Sequence, residues 1–517
     1  MTTTSIEVER HDAEAVNSAK VRQPLYAARK KIFPKRASGQ FRRFKWLVMF
    51  VTLGIYYLTP WLRWDRGPHA PDQAVLIDLA NRRFYFFFIE IWPQEFFIVA
   101  GLLVMAGLGL FLITSTVGRA WCGYTCPQTV WVDLFLVVER ALEGDRNARI
   151  RLEGEPWGLR KIWLRTAKHA IWIAIAVATG GAWIFYFADA PTLLVDFFTG
   201  NAAPVAYMTV ALLTATTYTF GGLMREQVCT YMCPWPRIQA AMLDENSLTV
   251  TYNDWRGEPR TRGAKKAAAA GKVAGDCVDC NACVVVCPMG IDIRDGQQLE
   301  CITCALCIDA CDAVMDKLGR ARGLISYATL ADYNANMAVV TGGGSHPIDP
   351  SLVHKPDGSL ADGIVPFHVS RIFQPRVFIY FAGWALIGLA LVYALMARDR
   401  LEVNVLHDRN PQFVVLSDGS IRNGYTVKLL NKIAQPREVT VAIDGLPGAA
   451  MSVVGIDRPE DTAFDIALDP DRLKTLKIYV RQPRELVDGR VQNFRFLVED
   501  PASGENAAYT ANFDAPE

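Results

Sequence analysis

Hydrophobic residues along this chain arrive in blocks. Five blocks, 46–62, 96–117, 170–188, 203–224 and 377–396, are apolar over roughly the ~20 residues that a helix needs to cross a bilayer core of about 30 Å. The second, third and fifth hold no charged residue, so none can present the polar face of a surface helix. They predict an α-helical transmembrane bundle of about five spans. The first block is short and abuts Lys45, and two shorter apolar runs, 84–92 and 130–138, carry Glu90 and Asp133. Those two runs are expected to be interfacial or partly buried. Past residue 398 the pattern changes to a period of two. Val439, Val441 and Ile443 alternate with smaller or polar residues, as do Leu476, Ile478 and Val480, and Phe494, Phe496 and Val498. The dipeptides Asp418-Gly419, Asn423-Gly424, Asp444-Gly445 and Asp488-Gly489 read as hairpin turns between strands. Roughly seven short strands over ~115 residues predict an immunoglobulin-like β-sandwich. It contains no cysteine, so it lacks an inter-sheet disulfide.

At 517 residues the chain exceeds what one core usually supports, so two or three units are expected. The 54 Lys+Arg nearly cancel the 53 Asp+Glu, and no basic field points to nucleic acid. Residues 20–45 hold ten Lys/Arg and no Asp or Glu. That bias places the N-terminus in the cytoplasm, with no cleavable leader expected before the first span. An alternating path then puts 118–168 and 225–375 in the cytoplasm and everything after about 398 outside. The expected divisions are a disordered, basic N-terminus at 1–40, a transmembrane region at 41–253 and an Ala/Gly-rich linker at 254–275. A cysteine-rich domain at 276–320, a cytoplasmic connection at 321–375, a last span at 376–397 and the β domain at 398–517 complete the chain.

All 12 cysteines lie between Cys122 and Cys311. The strongest signal is CVDCNACVVVCP, 277–288, followed by CITCALCIDAC, 301–311, each a C-x2-C-x2-C-x3-C run. Three thiolates from one tight loop converge on a 4Fe–4S cluster, and the fourth cysteine reaches the other cluster of the pair. Cys277, Cys280, Cys283 and Cys311 therefore take one cluster, and Cys301, Cys304, Cys307 and Cys287 the second. Zinc also uses C-x2-C pairs, but it rarely needs eight cysteines in two copies of this run. One departure stands out: Cys287 precedes Pro288, whereas Cys311 precedes Asp312. Two clusters ligated crosswise make an electron wire, and no nucleophile elbow, Walker loop or GxGxxG accompanies them.

A repeat supplies the second signal. GRAWCGYTCPQ ends the second span and MREQVCTYMCPWP the fourth, each with C-x3-C-P. Positions i and i+4 share a helix face, so Cys122/Cys126 and Cys229/Cys233 each aim two sulfurs one way before Pro127 or Pro234 bends or ends the helix. Soft thiolates favour Cu(I) and thereby favour reduction of Cu(II). The alternative is that these are small buried packing residues. Met232 offers a thioether, though packing explains it better than ligation. Asp133 and Glu139 offer a proton relay or a capping role, and His169 alone among seven histidines lies at a span, which leaves no histidine pair for a haem.

Together WCGYTCPQTVW, CTYMCPWPR, the double run with CPMGIDIRDGQQLECITC and CIDACD, and a C-terminal β domain resemble the CcoG (FixG/RdxA) family of cytochrome c oxidase accessory proteins. The resemblance covers nearly the whole chain and is weakest at 1–40 and in the strands of 400–517. It implies a multi-pass protein of the bacterial inner membrane, with its N-terminus and ferredoxin domain cytoplasmic and its β domain periplasmic. The activity implied is a cupric reductase that uses two 4Fe–4S clusters to support assembly of cbb3-type oxidase, with Cys122, Cys126, Cys229 and Cys233 handling copper. The implied partners are copper ions, a cytoplasmic electron donor, cbb3-type oxidase biogenesis factors or a copper-transporting ATPase, and the lipid bilayer, with a homodimer left open. Membrane ferredoxins with C-x3-C-P also resemble NapH-type subunits, so a quinol-linked relay to a periplasmic reductase is the alternative. A non-redox assembly scaffold is another.

Overall fold

The computed structural model describes residues 8–17, 30–262, 274–342, 353, 355, 360–364 and 369–516. The chain divides into two compact units, Met1–Leu62 with Ala74–Leu391, and Arg63–Gln73 with Val392–Glu517.

Helices of the first unit form where the apolar blocks fall. They are α1 (Gln40–Leu58), α2 (Phe96–Val117), α3 (Ala120–Tyr124), α4 (Pro127–Glu143), α5 (Arg146–Gly154), α6 (Leu159–Ile184), α7 (Ala190–Thr199) and α8 (Pro204–Thr217). The helix α8 runs on through a wider π-type coil, Tyr218–Met224. After α9 (Trp235–Met242) and the single turn α10 (Asp254–Gly257) come α11 (Ala282–Val286), α12 (Leu306–Leu318), α13 (Leu330–Val340) and α14 (Pro375–Met396). Three described helices, Pro93–Val117, α6 and α14, are long and apolar enough to cross a membrane. The pair Ala190–Thr199 and Pro204–Met224, bent by 90°, adds a fourth if it forms one span. Pro93–Val117 and α14 bury only 6% of their apolar windows. So much bare hydrocarbon is costly in water and ordinary in lipid. The helices α2 and α14 meet at small residues: a Cβ on Gly101 would lie 2.5 Å from Leu391, and one on Gly388 3.2 Å from Met105.

The expected first span, 46–62, is helical through Leu58, but α1 starts earlier, and its first two turns carry Arg42, Arg43 and Lys45, of which Arg42 and Lys45 are buried. The run 84–92 is not helical. It supplies β2 (Arg83–Phe86) and β3 (Ile89–Ile91) of an antiparallel sheet begun by β1 (Val75–Asp78), with Glu90 paired to Arg83 at 3.2 Å. The run 130–138 lies within α4.

The cysteine-rich domain is larger than 276–320. Strands β4 (Thr249–Tyr252) and β5 (Ile325–Ala328) pair antiparallel and put Val250, Tyr252 and Ile325 into one core with Cys277, Cys283, Cys311 and Met315. Residues 253–324 separate these strands, so no local pattern marks their pairing. The expected linker begins instead with α10, where Arg256 is buried on Asp276 at 2.5 Å; its residues 263–273 lie outside the described residues. The N-terminal segment, expected to be disordered, is held by backbone hydrogen bonds over its described part. His11 N–H donates to Cys280 O (3.1 Å), Val16 and Asn17 to Gly290 O (2.8 and 3.0 Å), and Lys35 to Val285 O (2.7 Å). Main-chain bonds of this kind leave polar side chains free to face solvent, and composition does not register them.

The second unit is an antiparallel sandwich. One sheet orders β10 (Ala450–Val453), β12 (Leu473–Gln482), β8 (Ile421–Asn431) and β6 (Leu401–His407), with β7 (Val414–Val415) on β8. The other orders β11 (Ala463–Leu468), β9 (Arg437–Asp444), β13 (Val491–Glu499) and β14 (Asn506–Asp514). Val439, Val441, Ile478, Val480, Phe494 and Phe496 fill the core between them. Nine strands stand where roughly seven were expected. Gly419, Gly445 and Gly489 turn with positive φ, but Asn423-Gly424 lies inside β8. There Gly424 serves close approach: a Cβ would meet the Asp408 carboxylate at 2.4 Å.

Candidate iron–sulfur and thiol site

Each C-x2-C-x2-C run bends its chain by the same device. Asp279 and Asn281 flank Cys280 with φ of 50° and 58°, and Thr303 and Ala305 flank Cys304 with 55° and 59°. Non-glycine residues take this conformation at a cost, and it turns successive N–H groups inward to make an anion-holding concavity. The helices α11 and α12 begin directly after these bends and carry Cys283, and Cys307 and Cys311.

The loops enclose two cavities. One is lined by Cys277, Cys280, Cys283 and Cys311. The other is lined by Cys287, Cys301, Cys304 and Cys307, and also by Cys283. These are the crossed sets that the spacing assigns. Among the described residues no three His, Cys, Asp or Glu side chains converge closely enough to hold one bare ion. Sulfurs spread around a void suit a multi-atom cluster and not a zinc tetrahedron, so the residues present fit 4Fe–4S groups. Burial pushes the thiols up: Cys301 to about 11, Cys287 to about 12, and Cys283, Cys307 and Cys311 further. Their thiolates need both the metal's charge and the inward N–H groups.

The C-x3-C-P pairs differ from the expected single helix face. Cys122 lies in α3 and Cys229 in a π-type turn, Val228–Met232, but Cys126 and Cys233 have left the helix with ψ of 127° and 121°. The prolines dictate this, because a residue before proline is driven out of the α region. Even so, Cys122, Cys126, Cys229 and Cys233 lie near enough to couple electrostatically, although among the described residues no three of them converge on one point. The Cys122 thiol is raised to about 11 by burial, drawn down by Arg119 and raised again by Cys126 and Cys233. The Cys229 thiol reaches about 12 through burial and through Cys126, Cys122 and Cys233. Met232, by contrast, is 51% exposed, against 8% for Cys122.

This thiol group packs on the second cluster's loop. A Cβ on Gly123 would lie 2.6 Å from Ile302 O and 3.0 Å from the Cys304 Cα. Tyr124 Oη donates to Cys304 O at 3.2 Å, and Arg119 donates to Leu299 O. Cys122 Sγ donates to Gln239 Oε1 at 3.1 Å, and Gln239 is fully buried. Sequence reasoning passed over Gly123, Gln239 and Arg119. The glycine inside CGYTC was the available signal, since a glycine within a ligand motif often marks close backbone approach.

Neither carboxylate near the first motif is free to relay protons. Asp133 is buried and accepts from Arg42 Nη1 at 2.8 and 2.9 Å; burial raises its carboxyl, but Lys45 and Arg42 outweigh this and hold it low. Glu139 meets Arg225 at 2.8 Å, Lys168 at 3.4 Å and Arg149, which together overcome burial and bring it down to about 2. His169 Nδ1 is hydrogen-bonded with Tyr218 Oη at 2.9 Å.

Apolar helices, a crossed pair of cysteine-lined cavities and a β-sandwich define a membrane-associated iron–sulfur electron-transfer protein of oxidoreductase type. Comparison with known proteins agrees. Residues 224–330 match a family model described as a 4Fe-4S dicluster domain, 97–143 one described as a 4Fe-4S binding domain, and 391–516 one described as the IG-like fold at the C-terminus of FixG. The chain is 69% identical to the nitrogen fixation protein FixG of Rhizobium meliloti over 99% of its own length and 98% of that protein's. It is 53% identical to protein RdxB of Cereibacter sphaeroides (95% and 97% covered) and 51% identical to RdxA of the same organism (95% and 98%). The chain therefore belongs to the FixG/RdxA family.

Proposed function

We propose that this protein reduces Cu(II) to Cu(I) at Cys122, Cys126, Cys229 and Cys233, and so supplies copper for assembly of a cbb3-type cytochrome oxidase. The clusters supply one-electron reducing equivalents. The chain's own residues do the rest: Gln239 and Arg119 orient the Cys122 thiol, the two prolines set the second sulfur of each pair, and Tyr124 pins the motif to the cluster loop. Soft sulfurs bind the product ion better than the substrate ion, which favours the reduction. One observation carries the reading. Cys122 and Cys229 pack in one apolar cluster with Cys301 and Cys304, and Gly123 of the first motif abuts the backbone of Ile302 and Cys304. In this reading the cysteine-rich domain faces the cytoplasm and the β domain the periplasm, and copper passes to oxidase biogenesis factors or a copper-transporting ATPase.

The test compares Cys122→Ala and Cys229→Ala with wild type for Cu(II) reduction at equal iron content. A clear loss with intact iron–sulfur absorbance is expected, and equal rates would remove the assigned site. A second reading draws on the match of 97–143 to a 4Fe-4S binding model, although that stretch holds only Cys122 and Cys126. The four thiols would then hold a further cluster in a quinol-linked relay. Iron equal to two clusters per chain favours copper; iron equal to three favours the relay.

A further inference from the structure

The two cysteine runs bend alike, yet the charges set around them differ. Gly118 ends α2 with φ of 61°, and a Cβ there would lie 2.2 Å from Leu248 O. Glycine suits that turn, and the turn brings the next residue, Arg119, back into the protein, where it is only 5% exposed. Arg119 donates to Leu299 O, just ahead of Cys301. It makes no ion pair with a carboxylate among the described residues, and its Nε is buried without a hydrogen-bond partner. A cation buried in this way is costly unless negative charge stands beside it. Sulfur supplies that charge. Burial pushes up the thiols of Cys301, Cys122 and Cys229, and Arg119 draws all three back down.

The first cluster's side is arranged differently. Its buried cation, Arg294, is shared between Asp279 at 2.8 Å and Asp292 at 2.6 Å. Two carboxylates therefore offset that guanidinium. Arg262 also meets Asp279, at 2.6 Å, but it is 68% exposed and screened by solvent. Asp312 follows Cys311 where Pro288 follows Cys287; it accepts the N–H of Gly323 at 3.0 Å and pairs with no Lys or Arg among the described residues. Reduction adds negative charge to a cluster. A nearby unpaired cation therefore raises its potential, and a nearby carboxylate lowers it.

We propose that Arg119 is the counter-cation of the second cluster, the one held by Cys287, Cys301, Cys304 and Cys307, and sets its potential above that of the first. The inference rests on the electron-transfer and copper readings above, and it gives the wire a direction. One electron from a one-electron donor enters the first cluster and passes to the second, so that the first is reoxidised. It rests there beside Arg119 until it reduces one Cu(II) to Cu(I) at the thiols.

The experiment is an anaerobic redox titration of the full chain with both clusters in lipid nanodiscs, read by electron paramagnetic resonance. The signal that Cys304→Ala removes identifies the second cluster, and the signal that Cys280→Ala removes the first. In wild type the first electron is expected in the second cluster. Arg119→Gln should cut that cluster's affinity for the electron at least tenfold, a fall of about 59 mV or more for a one-electron couple, and leave the first cluster's potential in place. Arg119→Lys keeps the charge and should restore most of the difference. Unchanged potentials in Arg119→Gln with full iron would overturn the proposal. So would a first electron in the first cluster of wild type, a result that stands even if Arg119→Gln loses iron. Cu(II) reduction by dithionite-reduced wild type keeps the two claims apart. If the second potential falls in Arg119→Gln while wild type reduces no copper, only the copper reading fails. If copper is reduced while both potentials ignore Arg119, only the role of Arg119 fails.

Discussion

Substitution of Gly123 by alanine probes the contact through which the proposed function delivers electrons. The new Cβ would lie 2.6 Å from Ile302 O and 3.0–3.1 Å from the Cys304 backbone. Ordinary C···O contacts run about 3.3–3.6 Å, so the cluster loop and the thiol helix must separate by about 0.7–1.0 Å. The obstacle is backbone on both sides and cannot swing away as a side chain would. Overpacking of this kind costs about 1–3 kcal/mol, against a helix-propensity gain of about 0.5–1 kcal/mol for replacing glycine. A net loss of about 1 kcal/mol is expected, with Cu(II) reduction slowed about tenfold or more and iron content unchanged. Gly181→Ala in α6, where nothing lies within 4 Å, is the control and should be neutral or slightly stabilising. Rates come from anaerobic Cu(I) trapping and stability from thermal melts of the same samples. Wild-type rate and stability in Gly123→Ala would refute the close packing of the two motifs.

Three further outcomes follow from the geometry. Crossed ligation predicts that Cys287→Ala and Cys304→Ala lose the same one of the two clusters in electron paramagnetic resonance, and Cys280→Ala and Cys311→Ala the other; grouping of Cys287 with Cys280 would contradict it. Glu139, held near 2, contributes stability that is complete above its unfolded value of about 4.3 and lost as pH falls through the folded one. The melting temperature should therefore drop progressively below pH ~4.5, and Glu139→Gln should lower stability at pH 7 by about 3–5 kcal/mol and flatten that slope; an equal slope in the variant would count against the network. In the β domain, Tyr425→Phe removes the buried bond from Tyr425 Oη to Asn512 O at 2.6 Å, and a loss of about 1–3 kcal/mol is expected in denaturant titration, because the carbonyl is left unsatisfied.

Cysteine spacing anticipated which cysteines line each of the two cavities, because three of each set come from one local loop. It described the two C-x3-C-P pairs less fully, since i,i+4 spacing implied one helix face and the following prolines overrode it at Cys126 and Cys233. Hydropathy marked α2, α6 and α14, where apolar content alone decides burial in lipid. At α1 it did not mark the start: the helix begins at Gln40, ahead of the apolar block at 46, with Arg42 neutralised by Asp133 some ninety residues later. The same non-locality hid the β4–β5 pair and the contact of Gly123 with Ile302. Asn423-Gly424 carried a turn signal that the strand pairing of β8 with β12 overrode, with Gly424 opposite Tyr479.

The most direct measurement mixes dithionite-reduced, desalted protein with Cu(II) under anaerobic stopped flow and follows cluster reoxidation beside trapped Cu(I). Rapid reoxidation with one Cu(I) formed per cluster electron is predicted, and its loss when Cys122, Cys126, Cys229 and Cys233 are all replaced. Reoxidation at the wild-type rate in that four-thiol variant, with iron content retained, would contradict the account.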